Sequence, residues 1–257
     1  MTKLHLLGTG GGLLCAGRNP SSYLLETDEG HILFDCGDGV SSKLVNSGYD
    51  WTLLTAIVIS HSHADHLGGF PLLIQQIHLS RREPPLYIYG PPEFIEQIYK
   101  HLGVYYLFPG SFSFETKIFS IFHKESFIIK EVEIFPVLTK HLERAKAKIP
   151  EGFPNRGEAF AFRIKAEYKK IFYSSDLQSF DDICTYLEDC DYILIEVTHI
   201  KADTVIEWAE NHQKTQITVT HISPDFDVEN FNFLLEKKGL TNINIAKEGT
   251  FIDFAVR

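Results

Sequence analysis

The sequence predicts an α/β chain of two packed sheets with helices outside them. Three observations carry that prediction. Strand-like runs come in pairs towards each end of the chain. Strands and helical stretches alternate between those pairs. One short run, Thr55–Ser60, is continuously apolar and β-branched, as a strand covered on both faces is. No composition shift marks a boundary, so residues 1–257 read as a single domain.

The elements follow in order. Lys3–Leu7, Ser22–Thr27 and His31–Asp35 are β-prone runs separated by Gly-rich or Asp-Glu-Gly turns. A helix is expected from Asp38 to Ser47, stopped by Gly48. Thr55–Ser60 is short, apolar and β-branched, which fits a strand buried on both faces. Phe70–Ser80 reads as a helix, Pro85–Gly90 as a strand and Pro92–Leu102 as a helix. Residues 104–135 are aromatic and β-prone without clear breaks, and Val104–Phe114 fits a lid, a dimer surface or core. Phe160–Ala166 and Lys170–Asp176 look like paired strands. A strand (Asp191–Val197), a helix (Asp203–His212), a strand (Gln216–Thr220), a helix (Asp227–Lys238) and two last strands complete the chain.

Composition narrows the function. A net charge of -10 argues against a protein that coats nucleic acid through its overall field. There is no apolar stretch of membrane-spanning length, and the N-terminus reads as a strand and turn rather than a signal peptide. Cys15, Cys36, Cys184 and Cys190 contain no CxxC pair and fit reduced thiols in a cytoplasmic protein.

The most informative stretch is His61-Ser-His63-Ala-Asp65-His66, directly after a buried strand. Alternate side chains of an extended loop point the same way, so His61 and His63 would converge on one ion. Asp65 and His66, where the chain turns into a helix, would face a second. Imidazoles with few carboxylates suit zinc, and also manganese or iron. Further ligands are expected where other strands end on the same rim. His141 follows one β-prone run, Asp176 ends another, and His221 ends a third. His61, His63 and His141 would then hold one ion, Asp65, His66 and His221 the other, with Asp176 bridging. His5, His31, His78, His101 and His212 lack that context and read as ordinary histidines.

At these residues the sequence resembles the metallo-β-lactamase superfamily, whose His-x-His-x-Asp-His loop matches "HSHADH". The resemblance implies a four-layer αββα sandwich of two mixed β-sheets flanked by helices, with two divalent ions at the sheet edge. Within the superfamily the chain is similar to ribonuclease Z and related phosphodiesterases, through "LLGTGGG", "RNPSSYLLE", "ILFDCGDG" and "HLGGFPLLI". Three departures stand out. Only 34 residues separate His141 from Asp176, which leaves little room for that branch's projecting arm. Its His-Glu-Ala-Thr stretch reads Ile195-Glu196-Val197-Thr198, so the histidine that assists catalysis there is replaced. His221-Ile222-Ser223 runs into Pro224 and Asp225 without the branch's arginine.

The expected function is a metal-dependent hydrolase in which two ions share a bridging hydroxide. Its substrate would be a small anionic or single-stranded phosphodiester, with RNA disfavoured by charge. Asp65 would ligate and accept the water's proton; Glu196 would protonate the leaving group or support a metal-bound histidine. Lys140, Arg144, Lys146, Lys148 and Arg156 either steer an anion or form a solvated loop. A lactone, thioester or β-lactam hydrolase on the same site is the alternative, and a non-catalytic metal-bearing nucleotide- or RNA-binding protein a further one. Members of the family often dimerise, which leaves room for a homodimer.

Overall fold

A computed structural model describes residues 2–254. The strands are β1 (Lys3–Gly8), β2 (Ser22–Thr27), β3 (Gly30–Phe34), β4 (Leu54–Val58), β5 (Leu86–Gly90), β6 (Thr116–Ser120) and β7 (Phe127–Ile129). They continue with β8 (Val132–Thr139), β9 (Ala159–Ala166), β10 (Lys169–Tyr173), β11 (Tyr192–Glu196), β12 (Gln216–Thr220), β13 (Ile243–Ile245) and β14 (Phe251–Asp253). They form two seven-stranded sheets, ordered β14-β1-β2-β3-β4-β5-β6 and β13-β12-β11-β10-β9-β8-β7. The helices are α1 (Val40–Asn46), α2 (Ala64–Leu67), α3 (Phe70–Leu79), α4 (Pro92–Ile95), α5 (Ile98–Val104), α6 (Glu143–Lys146), α7 (Ala202–Asn211) and α8 (Val228–Lys238). The expected αββα sandwich is the architecture observed.

Side-chain alternation builds the layers. Ala56 and Val58 of β4 face the space between the sheets, where they join Phe34, Phe162, Tyr173 and Leu194. Ile57 of the same strand faces outwards and packs on Leu44 of α1 and Leu73, Ile74 and Ile77 of α3. In the second sheet Tyr192 and Leu194 point inwards. Ile193 and Ile195 point outwards, against Val205 and Ile206 of α7 and Phe231 and Leu235 of α8. Each sheet is therefore apolar on both faces, which is why its central strands read as unbroken hydrophobic runs.

Three local expectations differ from the structure. The first helix begins at Val40, because Gly39 takes a left-handed conformation at φ 86° and serves as its cap. The stretch Pro92–Leu102 is two helices, broken at Glu96–Gln97. Glu93 is buried there and accepts hydrogen bonds from the N–H groups of Arg156 and Gly157, a tie from far along the chain that periodicity does not record. The aromatic stretch after Val104 divides its roles. Leu107 and Phe114 enter the core while Tyr105, Tyr106 and Phe108 stay exposed. Among the described residues the four cysteines are free thiols.

Strand direction positions the site. β10, β11, β12 and β13 run parallel, and β8 and β9 alternate antiparallel beside them. The C-terminal ends of β8, β10, β11 and β12 therefore share one rim. β3, β4, β5 and β6 are parallel in the other sheet. The two sheets are tied at that rim: the Phe160 N–H donates to the Ser60 carbonyl at 3.1 Å, and the hydroxyls of Tyr23 and Thr220 lie 2.8 Å apart.

The inter-sheet layer is the fold's main apolar support. Phe162 is fully buried, with its ring 5.7 Å from that of Phe34. Phe162→Ala is expected to cost about 3–5 kcal/mol, a large share of the roughly 5–15 kcal/mol that holds a domain together. Urea unfolding followed by circular dichroism checks it. A loss below about 1 kcal/mol, the level of an ordinary substitution, would mean the layer collapses around the gap.

Candidate metal centre

The loop after β4 carries His61, His63, Asp65 and His66 into the seam between the sheets. His61 and His66 are fully buried. His141 follows β8, Asp176 follows β10, and His221 follows β12 directly. All seven of these residues come together. His61, His63, His141 and Asp176 form one donor set, and Asp65, His66, Asp176 and His221 form another, each with ligand atoms within 4.8 Å of one another.

Asp176 stands between the sets. Its Oδ2 lies 3.8 Å from His61 Nε2 and 3.5 Å from His141 Nε2. Its Oδ1 lies 3.1 Å from His66 Nε2 and 3.3 Å from His221 Nε2. His63 Nδ1 is 3.2 Å from His141 Nε2, and His221 Nε2 is 3.1 Å from an oxygen of Asp65.

These spacings fit cations. Ligands about 2.0–2.2 Å from a tetrahedral ion sit roughly 3.3–3.6 Å from one another, close to the separations here. Hydrogen bonds alone leave the cluster unsatisfied. His61 Nε2 and Asp176 Oδ1 are buried and have no hydrogen-bond partner, a costly arrangement unless something else coordinates them. Neutral imidazole and ionised carboxylate are also the donors zinc prefers.

Protonation follows burial and charge. Burial pushes His61 well below the usual imidazole value, helped by neighbouring His66. Burial likewise lowers His63 and brings His141 down to about 4. His66 goes the other way. Burial opposes its charge, but the carboxylates of Asp176 and Asp35 outweigh that and hold it well above the usual value. Burial would raise Asp176 and Asp65, yet the surrounding histidines keep both below the ordinary carboxylate range.

Two residues complete the site that the sequence reading did not assign. Asp35, at the end of β3, is fully buried and accepts four hydrogen bonds. These come from the Ser60 N–H at 2.7 Å, the Ser60 hydroxyl at 2.9 Å, His66 Nδ1 at 2.8 Å and the Tyr173 hydroxyl at 2.5 Å. It fixes the His66 ring so that Nε2 faces the cluster. His199, just past β11, brings its ring to 4.7 Å from that of His141, with Nδ1 3.2 Å from Glu196 Oε1. Its position after a strand was the available signal, the same one that marks His141 and His221. Ile195, where the histidine-bearing stretch aligns, is buried in the outer core of the second sheet.

Glu196 is buried behind the site. Its Oε1 accepts from the Leu177 N–H, and its Oε2 from the N–H groups of Thr198 and His199. Those bonds hold the 197–199 turn and aim His199. Of the two roles expected of Glu196, this geometry favours support of a histidine over proton donation. Among the cationic residues, Arg156 is taken up by a paired contact with Glu96 at 2.6 Å. Lys140, Arg144, Lys146 and Lys148 are exposed.

Backbone strain marks the same rim. Asp35, Ser175 and His221 have φ of 57°, 46° and 54°, a left-handed region that non-glycine residues occupy only when their surroundings hold them there. Gly37 has a simpler reason. A Cβ on it would stand 2.6 Å from the Asp65 carbonyl oxygen, so only glycine lets the β3 loop pass under the histidine loop.

Residues 2–232 match the family described as Anti-Pycsar protein Apyc1. The chain belongs to that family. It is also similar to ribonuclease Z of Methanocaldococcus jannaschii, at 28% identity over 94% of this chain and 92% of that protein. Similarity to ribonuclease Z of Methanosarcina acetivorans is 35% identity over 52% of this chain, and the match spans only 44% of that relative's length. Among solved structures, the metallo-beta-lactamase fold protein YhfI from Bacillus subtilis superposes with a TM-score of 0.75 at 24% identity, over 98% of both chains. The likeness to YhfI is one of fold, and the sequence likeness beyond the Apyc1 family is to proteins named ribonuclease Z.

Two outcomes test the centre. His66 is held above its ordinary value, so near neutrality the metal-free fold keeps it protonated, and an arriving cation must displace that proton. Apparent zinc affinity should therefore rise with pH until His66 titrates, and zinc titrations in buffers of different ionisation enthalpy should show proton release. Proton-neutral binding would contradict this account of His66. Asp35→Asn should weaken metal binding by about 10–100-fold, the usual cost of losing a histidine's outer partner. Competition with a chromophoric chelator measures it.

Proposed function

We propose that this Apyc1-family chain is a phosphodiesterase that holds two divalent ions, zinc by donor type, and acts on a small or single-stranded phosphodiester. The observation that carries the reading is Asp176, whose two oxygens each face a separate set of histidines. Ions held in those sets would supply Lewis acidity and a water of lowered pKa.

The chain's own residues do the rest. Asp176 and the two histidine sets would hold those ions at the seam between the sheets. Asp65 is kept ionised by His221 and His66, which suits it to accept a hydrogen bond from the attacking water; its lowered pKa makes it a weak proton acceptor. His199 is the proton donor to the leaving oxygen. It is the more exposed neighbour of the cluster, with about a third of its side chain open to solvent. Burial disfavours its charge, but the hydrogen bond and charge of Glu196 raise it above the ordinary imidazole value, which favours the protonated form a donor needs.

Substrate size is argued from charge. A net -10 repels long polyanions, while the exposed Lys140, Arg144, Lys146 and Lys148 after β8 offer a local attraction. Relatives named ribonuclease Z and a 15%-identical structural neighbour named yeast PDE1 are in keeping with phosphodiester chemistry.

Metal-loaded protein should hydrolyse bis-p-nitrophenyl phosphate or cyclic nucleotides, and leave lactones and nitrocefin nearly untouched. Turnover confined to carbonyl substrates would sink the reading, and binding without turnover would favour a non-catalytic role. His199→Ala should lower kcat by about 10²–10⁴-fold while metal content stays constant. A proton-donating His199 is lost as pH rises through its elevated value, so activity should fall on the alkaline side in the wild type, and that limb should vanish in the variant. An unchanged pH–rate profile would remove His199 from the chemistry.

A further inference from the structure

The segment that leads into β9 joins the two halves of the sandwich beside the metal rim. It ends in Arg156, Gly157 and Glu158. On one side stands Glu93 of α4, which follows β5 of the first sheet. Glu93 is buried and accepts from the N–H groups of Arg156 and Gly157, the second at 2.9 Å. On the other side Gly157 closes on α6, the helix after His141. A Cβ on Gly157 would stand 3.0 Å from Lys146 Cβ and 3.4 Å from the Leu142 carbonyl oxygen, and its φ is 71°. Both features require glycine. Directly downstream, Ala159 pairs with Thr139, and the Phe160 N–H donates to the Ser60 carbonyl. Thr139 lies two residues before His141, and Ser60 one before His61.

One group in this junction lacks a partner. Glu158 Oε2 is shut off from solvent and has no hydrogen bond. Glu93 is anchored to the N–H of the residue directly before it, so two carboxyl groups meet in one place. A buried carboxylate oxygen without a donor is costly, and a second carboxylate nearby adds repulsion. A proton on Glu158 relieves both. The charged groups around it have defined parts. Burial and the Glu93 carboxylate push Glu158 above the ordinary glutamate value, and Glu96 of the same helix region adds to them. The Arg156 guanidinium and the Glu93 N–H pull the other way without cancelling the rise. Arg156 is drawn off by Glu96, which it meets at 2.6 Å through both carboxylate oxygens. From α6, Lys146 packs its stem against Gly157.

We propose that Glu158 and Glu93 form a proton-operated latch: with Glu158 neutral the segment is held between α4 and α6, and with Glu158 ionised it loosens from α4. A carboxyl raised in the closed junction favours closure most below its ordinary value, and that contribution is lost as pH rises through the elevated one. The latch therefore closes in mild acid and slackens towards neutrality. Because the segment feeds β9 and packs on α6, the elements that carry His141 and border His61 slacken with it. None of this depends on which bond the metal centre cleaves.

The test follows backbone amides of the metal-loaded protein by NMR. The Arg156 and Gly157 N–H signals report the bonds to Glu93. In the wild type both should move along one titration curve whose midpoint lies above the ordinary glutamate value. Their protection against hydrogen exchange, corrected for the intrinsic rate, should fall by about tenfold between about pH 5 and about pH 8, the equivalent of one pKa unit of coupling. Glu158→Gln keeps the size of the side chain and carries no charge. It should erase the titration and hold protection at the acid level throughout. Glu96→Gln, on an exposed residue, removes one repelling carboxylate and releases Arg156, so it should lower the wild-type midpoint. A midpoint at or below the ordinary value, or a titration that persists in Glu158→Gln, overturns the latch. Protection that is lower in Glu158→Gln than in the wild type at every pH also overturns it, because Glu158 would then hold the segment through its charge.

Discussion

The fully buried carboxylate of Asp35 is the constraint on which the site depends. Four donors from three parts of the chain converge on it: the Ser60 backbone and side chain, His66 and Tyr173. Ser60 and His66 belong to the first sheet's loop, and Tyr173 to β10 of the second. One group thus sets the histidine loop against both halves of the sandwich. A buried carboxylate is costly unless its lone pairs are filled, and here they are. The same bonds turn His66 towards Asp176. Ser60, with its hydroxyl 3.0 Å from His61 Nδ1, does the same for His61.

Much of this was legible in the sequence because it is local or periodic. The His61–His66 cluster is six residues long, and its alternation after a buried strand separates its donors into two sets without knowledge of the rest of the fold. His141, Asp176 and His221 were legible by position, since parallel strands end on a common rim. The apolar, β-branched run at Thr55–Ser60 announced a strand covered on both sides.

What stayed hidden depends on contacts between distant segments. Asp35 sits in a glycine-containing stretch that looks like any turn, and its role appears only when β3 and β10 face each other. His199 follows Glu196 by three residues, outside the stretch that a family motif would search. Its approach to His141 comes from the tight 197–199 turn that Glu196 holds together. The buried Glu93 of α4 was hidden in the same way, since it answers backbone donors more than sixty residues away.

The seam location of the donors has a consequence for folding. Four of them hang from the first sheet's loop and three from the second sheet's strand ends, spread from His61 to His221. An ion held there would tie the two halves of the chain together, and because the donors meet only in the folded chain its binding free energy would add to folding. Such a staple would be removed by a chelator and left untouched by thiol reagents, since its donors are imidazoles and carboxylates.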